Sequence, residues 1–195
     1  MPADTPLGAF IPAPDACERY AVEVDAPATL VFRVAEHFDI QSIRLIRAIF
    51  GLRATLLRAK PSPRRPQGLL AEMLALGWGC LASRPGELFI AGAVCQPWRP
   101  DVEFRSIPAA DFLGFAEPGQ VKIAWTLEAG PLGPARTRLA TETRAVGTDP
   151  QARRRFRRYW RWARFGIIPI RWLLLPAIRR EAERQWRVEQ ARGPA

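Results

Sequence analysis

The sequence predicts an α+β fold, in which an antiparallel sheet is closed by a long C-terminal helix. Three observations carry the prediction. A strand and two helices open the chain, alternating segments fill most of residues 69–146, and a Pro-started, arginine-rich helix begins at about residue 149. Nineteen prolines in 195 residues argue for short, interrupted elements rather than a helical bundle.

The first 17 residues, MPADTPLGAFIPAPDAC, read as a loose, Pro-rich leader. They lack the basic start and apolar run of a secretory signal. A single domain is then expected over residues 18–190. In its first strand Tyr20, Val22 and Val24 alternate with Ala21 and Glu23, the period of a half-buried strand. A helix follows, with Asp25 as its cap, Pro27 in its first turn, and Leu30, Val31, Val34 and Phe38 at helical spacing. The second helix, within DIQSIRLIRAIFGLRATLLRA, sets Ile43, Ile46, Ile49 and Phe50 against Arg44 and Arg47. Three prolines make KPSPRRPQG a loop.

Beyond it, GWGCLASRPGELFIAGAVCQPW predicts a hairpin turning at Pro85-Gly86. DVEFRSI is a further short strand holding Phe104, and PAADFLGFAEPG a helical turn. A long hairpin spans QVKIAWTLEAGPLGPARTRLATETRAV. Centring it on Leu132 sets Glu128 against Arg136, Lys122 against Glu142 and Ile123 against Thr141, so two opposite-charge pairs form on one face. The other face carries Val121, Ile123, Trp125, Leu139, Thr141 and Thr143. The last helix starts with Asp149 as cap and Pro150 at its first position. Ala152, Phe156, Tyr159, Trp160 and Ala163 form its apolar side. Gly166 and Pro169 are expected to interrupt it, and Pro176 to kink its continuation.

This order resembles the START-like, or SRPBCC, superfamily, which includes polyketide cyclases, lipid-transfer domains and the birch-pollen allergen type. The likeness is carried by AVEVDAPATLVFRVAEHF, a strand-Asp-Ala-Pro-helix opening, and by RLATETRAV followed by DPQARRRFRRYW as last strand and closing helix. It covers residues from about Glu18 to Trp186 and is similar to uncharacterised bacterial members. The resemblance implies a helix-grip fold, a curved antiparallel sheet wrapped around the C-terminal helix with a hydrophobic cavity between them. Residues expected to line that cavity are Ile123, Trp125, Thr141 and Thr143 from the sheet, Phe104 from the short strand, and Phe156 and Trp160 from the helix.

Little in the sequence points to a catalytic apparatus. The single His37 excludes a two-histidine metal site and suits a surface or packing role beside Phe38. Cys17, Cys80 and Cys95 have no metal-ligand spacing, and Cys80 and Cys95 read as small core residues of strands. An odd cysteine count fits a reducing cytoplasm. Neither GxGxxG nor a Walker pattern occurs, so no cofactor is expected. The expected function is therefore binding, transport or sequestration of a hydrophobic small molecule or lipid. A cofactor-independent enzyme of the polyketide cyclase or aromatase type is the alternative, and would bury an ionisable group such as Glu142, Arg144 or Glu117 in the cavity. A peripheral membrane or interaction module without a ligand is the third class.

Charge separates the two ends of the chain. Residues 1–150 hold 16 basic and 16 acidic side chains, whereas residues 151–195 hold 13 arginines against three glutamates. The net charge of +10 therefore lies wholly on the C-terminal segment. Nucleic acid is disfavoured as a partner, because the helix's aromatic side is needed for the core. An anionic membrane surface fits better, since Arg and Trp flank the apolar run FGIIPIRWLLLPAI. That run is too short to span a bilayer and contains Arg171. Arg153, Arg154, Arg157, Arg158, Arg161 and Arg164 are the residues expected to meet the lipid, at the inner membrane surface of the cytoplasm.

Overall fold

The computed structural model describes residues 5–57 and 68–192. Of the loop expected over KPSPRRPQG, residues 60–67 lie outside the described residues, as do the side chains of Ile49 and Phe50. The elements run β1 (Ala16–Val24), α1 (Ala28–Glu36), α2 (Arg44–Leu57), α3 (Leu69–Ala75), β2 (Gly79–Arg84), β3 (Leu88–Cys95), α4 (Ala109–Phe112), β4 (Val121–Gly133), β5 (Arg136–Gly147) and α5 (Pro150–Arg192). The five strands form one antiparallel sheet in the order β1-β5-β4-β3-β2. With α1 and α5 packed on one face of that sheet, the architecture is the α+β helix-grip arrangement.

Each element follows from local chemistry. The hairpin of β2 and β3 turns at Pro85-Gly86, where Gly86 has a φ of +76° that a side chain would resist. Asp149 starts α5, its Oδ1 accepting from the backbone N–H groups of Gln151 (2.7 Å) and Ala152 (2.9 Å). A bond from the Gly119 N–H above all, and these two with it, hold its carboxyl below the usual range. Asp25 does not cap α1. Pro27 occupies that position with no side-chain bond, and Asp25 gives its backbone N–H to Glu183 on α5. The segment DVEFRSI makes only an isolated bridge, Arg105 to Val94. Residues 69–75, read within a region of strands, form α3.

Two apolar layers lie on opposite sides of the sheet. On the side facing α5, Val24, Leu127 and Leu139 meet Leu30 and Val31 of α1 and Leu174, Leu175 and Ile178 of α5. A smaller cluster at the start of α5 joins Phe156 to Ala16, Val121 and Ala145. Burying Phe156 contributes roughly 2–3 kcal/mol by its apolar area. On the opposite side Leu81, Leu88, Ile90, Ala124 and Val146 are covered by Phe112 and by Leu7 and Ile11 of the leader. Residues 7–11 of the leader are therefore packed rather than loose. Its 3-10 turn, Pro6–Ala9, presents Leu7 at 0% exposure to the sheet. Prolines exclude regular elements from such a segment without preventing its apolar side chains from docking.

The expected break in the last helix does not occur. α5 runs unbroken for 43 residues through Pro169 and Pro176. Each proline removes one ladder donor, and packing against β1, β5 and α1 holds the helix together regardless.

Candidate functional site

The long hairpin places its side chains on the faces expected, but with different partners. Trp125 faces Thr143 rather than Leu139, and Lys122 faces Val146 rather than Glu142. The turn lies at Pro134-Ala135, past a bulge between Pro131 and Gly133. Its charges pair elsewhere. Arg136 donates to Glu23 of β1, while Lys122 Nζ donates to the carbonyls of Phe112 (3.1 Å) and Leu113 (2.8 Å). Burial lowers the Lys122 pKa.

Glu142 and Arg144 point away from α5, into the layer under the leader. There Arg144 Nε donates to Glu142 Oε1 (2.7 Å), Nη1 to the Ile11 carbonyl (3.0 Å) and Nη2 to Thr5 Oγ1 (2.8 Å). Thr5 Oγ1 in turn donates to Glu142 (3.0 Å). Burial, with the Glu142 charge next in weight, pushes the neighbouring Cys17 thiol up, so it is a poor nucleophile. Glu117 is exposed and ion-paired with Arg105. None of these three ionisable groups lies between sheet and helix.

The face toward α5 differs. Between the two apolar clusters, the middle of the sheet carries Ile123, Trp125 and Thr143 half-buried, with Tyr159 and Trp160 of α5 half-buried against the same small cluster as Ile123. Phe156 is fully packed, its ring 5.9 Å from that of Trp160. Thr141 is 2% exposed, and its hydroxyl has no hydrogen-bond partner. Six of the seven expected lining residues thus share this face. Phe104 does not: it lies 5.2 Å from the Trp78 ring at the end of the sheet. Cys80, expected in the core, is exposed, and Cys95 is buried.

One residue at this interface went unassigned in the sequence. Arg171 stands over β5, its Nη2 donating to Thr143 Oγ1, while its buried Nη1 has no partner. Burial lowers its pKa, and the Glu18 charge opposes that shift without reaching ion-pair distance. A lone arginine inside an apolar run was the available signal. It lies 11 residues beyond Trp160 and seven before Ile178, close to whole numbers of helical turns, so all three share the core side.

The arginines expected at a membrane divide into two sets. Arg157 donates to Asp15 (2.7 Å), Arg153 lies 3.6 Å from the same carboxylate and donates to the Gly147 carbonyl, and Arg164 sits over the Phe165 ring. Arg154, Arg158 and Arg161 project outward, exposed. Beside them Trp162, Phe165 and Trp172 are 72%, 66% and 59% exposed. Their spacing of three and seven residues puts them on one stripe of α5. Trp162 and Arg171 are nine residues apart, two and a half turns, and so occupy opposite faces. No described helix is long and apolar enough to cross a membrane.

A separate open cleft of about 450 Å³ lies between α1 and α5, walled by Arg33, Val34, His37, Phe38, Asp39, Glu181 and Gln185. His37, the last-turn cap of α1, places Nδ1 2.9 Å from the Arg33 carbonyl. Among the described residues no cluster of His, Cys, Asp and Glu could hold a metal ion.

No protein-family model and no curated protein matches the chain. Among solved structures it is similar to the Zhui aromatase/cyclase from Streptomyces sp. R1128, at 14% identity and a TM-score of 0.30, over 87% of this chain and 94% of that one. It is also similar to Ara h 8.0201, at 11% identity and a TM-score of 0.19, over 86% and 98%. Likenesses this loose leave the fold resting on the element order and sheet topology described above.

Proposed function

We propose that this chain binds a hydrophobic small molecule or lipid beside α5, in a groove on the sheet's α5-facing side, and does so at an anionic membrane surface. The observation that supports it is the division of labour on one helix. The inner face of α5 meets half-buried Ile123 and Trp125 where a sealed core would bury them, and its outer face exposes Trp162, Phe165 and Trp172 among unpaired arginines. Interfacial helices have this composition, with aromatic rings at the headgroup level and cations toward the phosphates. The glutamates of α5 do not neutralise that outer face, since Glu189 pairs with Arg33, Glu183 with Arg179 and Glu181 with Arg184.

A cyclase-type activity asks for acid–base groups converging on the groove. Glu142 and Arg144 are committed to each other on the far side of the sheet, which favours binding over catalysis.

Two measurements test the reading. A fluorescent apolar probe should bind the wild type and be excluded by Ile123→Glu; equal binding by both would remove the groove. Co-sedimentation with anionic vesicles should fall steeply as salt rises from 50 to 500 mM, because the Debye length shrinks from about 14 Å to about 4 Å. Equal binding to neutral vesicles, or binding to neither kind, would remove the membrane surface.

A further inference from the structure

Arg171 is the group in the molecule whose placement the fold alone does not account for. A guanidinium brought under a helix is costly unless its donors are satisfied and a negative charge stands against it. Arg144, under the leader, meets both conditions. Arg171 satisfies one side of its fork with the Thr143 hydroxyl and leaves Nη1 buried without an acceptor. Among the described residues no carboxylate is in ion-pair contact with it, and Glu18, opposite Thr143 on β1, acts on it only from longer range.

A second unpaired group belongs to the same face. Thr141 is two residues along β5 from Thr143, so both side chains point toward α5, and its hydroxyl is also buried without a partner. Neither is paired with the other, so two buried donors on one face stand without acceptors, and a group carrying two oxygens would meet both. Around them stand Tyr20, paired with Thr141 across β1, and Trp125, paired with Thr143 across β4. The setting is apolar on two sides, cationic at Arg171, and bounded on β1 by Glu18, paired with Thr143.

We propose that Arg171 and Thr141 form the anchor for the carboxylate of a long-chain carboxylic acid, whose hydrocarbon lies along Ile123, Trp125 and Trp160. This rests on the groove reading above and names its ligand class. Two oxygens match the two unpaired donors. The ligand's charge would stand against the buried guanidinium at short range, as Glu142 does for Arg144. Lowering of the Arg171 pKa by burial is consistent with a charge awaiting its counterion.

The test compares palmitate, hexadecanol and hexadecyl phosphate, identical in chain and different in headgroup, by displacement of the apolar probe from the full chain. Palmitate should bind more tightly than hexadecanol by on the order of tenfold or more, the value of charged hydrogen bonds in a dry site. Arg171→Met should bring the acid down to the level of the alcohol while leaving the alcohol unchanged. Thr141→Val should weaken the acid alone, by a smaller factor. Equal binding of acid and alcohol by the wild type overturns the anchor and leaves the groove standing. So does a preference for hexadecyl phosphate over palmitate. Binding of neither acid nor alcohol overturns the groove and the anchor together. The wild-type comparison needs no variant, so a poorly folding Arg171→Met would not decide the matter.

Discussion

Two arginines, one buried and one half-buried, stand against opposite sides of the same strand, and they are built differently. Arg144 lies under the leader with a carboxylate, a carbonyl and a hydroxyl on its three nitrogens. Arg171, on α5, faces the strand with one hydroxyl and a bare Nη1. Complete pairing is what a structural charge needs, because an unsatisfied buried donor costs about 1–3 kcal/mol, more when charged. Incomplete pairing marks a charge that the fold tolerates for another purpose. The side of the sheet under the leader is thus a closed structural layer, and the side under α5 is where a ligand would meet the protein.

The sharpest way to break this contrast is to remove Glu142. Glu142→Ala strands Arg144 in the closed layer, and a loss of about 3–5 kcal/mol in urea unfolding is expected. A loss below 1 kcal/mol would mean that water reaches Arg144 and that the layer is open. Leu7→Ala asks whether the leader seals that layer. A fully buried leucine should cost about 2–5 kcal/mol, measured the same way. No change would mean that the leader lies loosely on the sheet.

On the other side the expected effects on stability are small. Arg171→Met exchanges an incompletely paired charge for an apolar side chain of similar length, and stability should stay within about 1 kcal/mol of wild type or rise. A loss comparable to that of Glu142→Ala would make Arg171 a structural charge after all and erase the contrast. Smallest of all, Trp162→Gln with Trp172→Gln should leave the melting temperature within measurement error, since both rings are largely exposed. The same pair of changes should reduce co-sedimentation with anionic vesicles several-fold.

Much of this was legible in the sequence, and the failures have physical causes. The faces of the long hairpin were assigned correctly although its register was not. The partner of Trp125 moved from Leu139 to Thr143, an even displacement that keeps every side chain on its side. The register failed because it was set by matching charges across the hairpin, while Arg136 and Lys122 find their partners on β1 and beside α4. The cap at Asp149 was readable because it is local. The packing of the leader was not, since Leu7 and Ile11 have no periodicity to display and meet the sheet only through tertiary contact. Arg171 was obscured for a related reason. A break expected at Gly166 and Pro169 resets the helical phase, and only the unbroken α5 shows Arg171 in line with Trp160 and Ile178.

The central claim, that a hydrophobic ligand sits beside α5, is tested most directly by native mass spectrometry of the full chain purified from its own cells without detergent. The wild type should carry a lipid-sized adduct that organic extraction identifies as a long-chain acid, and Ile123→Glu should lose it. A wild-type spectrum showing only the bare chain, together with no uptake of added palmitate or hexadecanol, would contradict it.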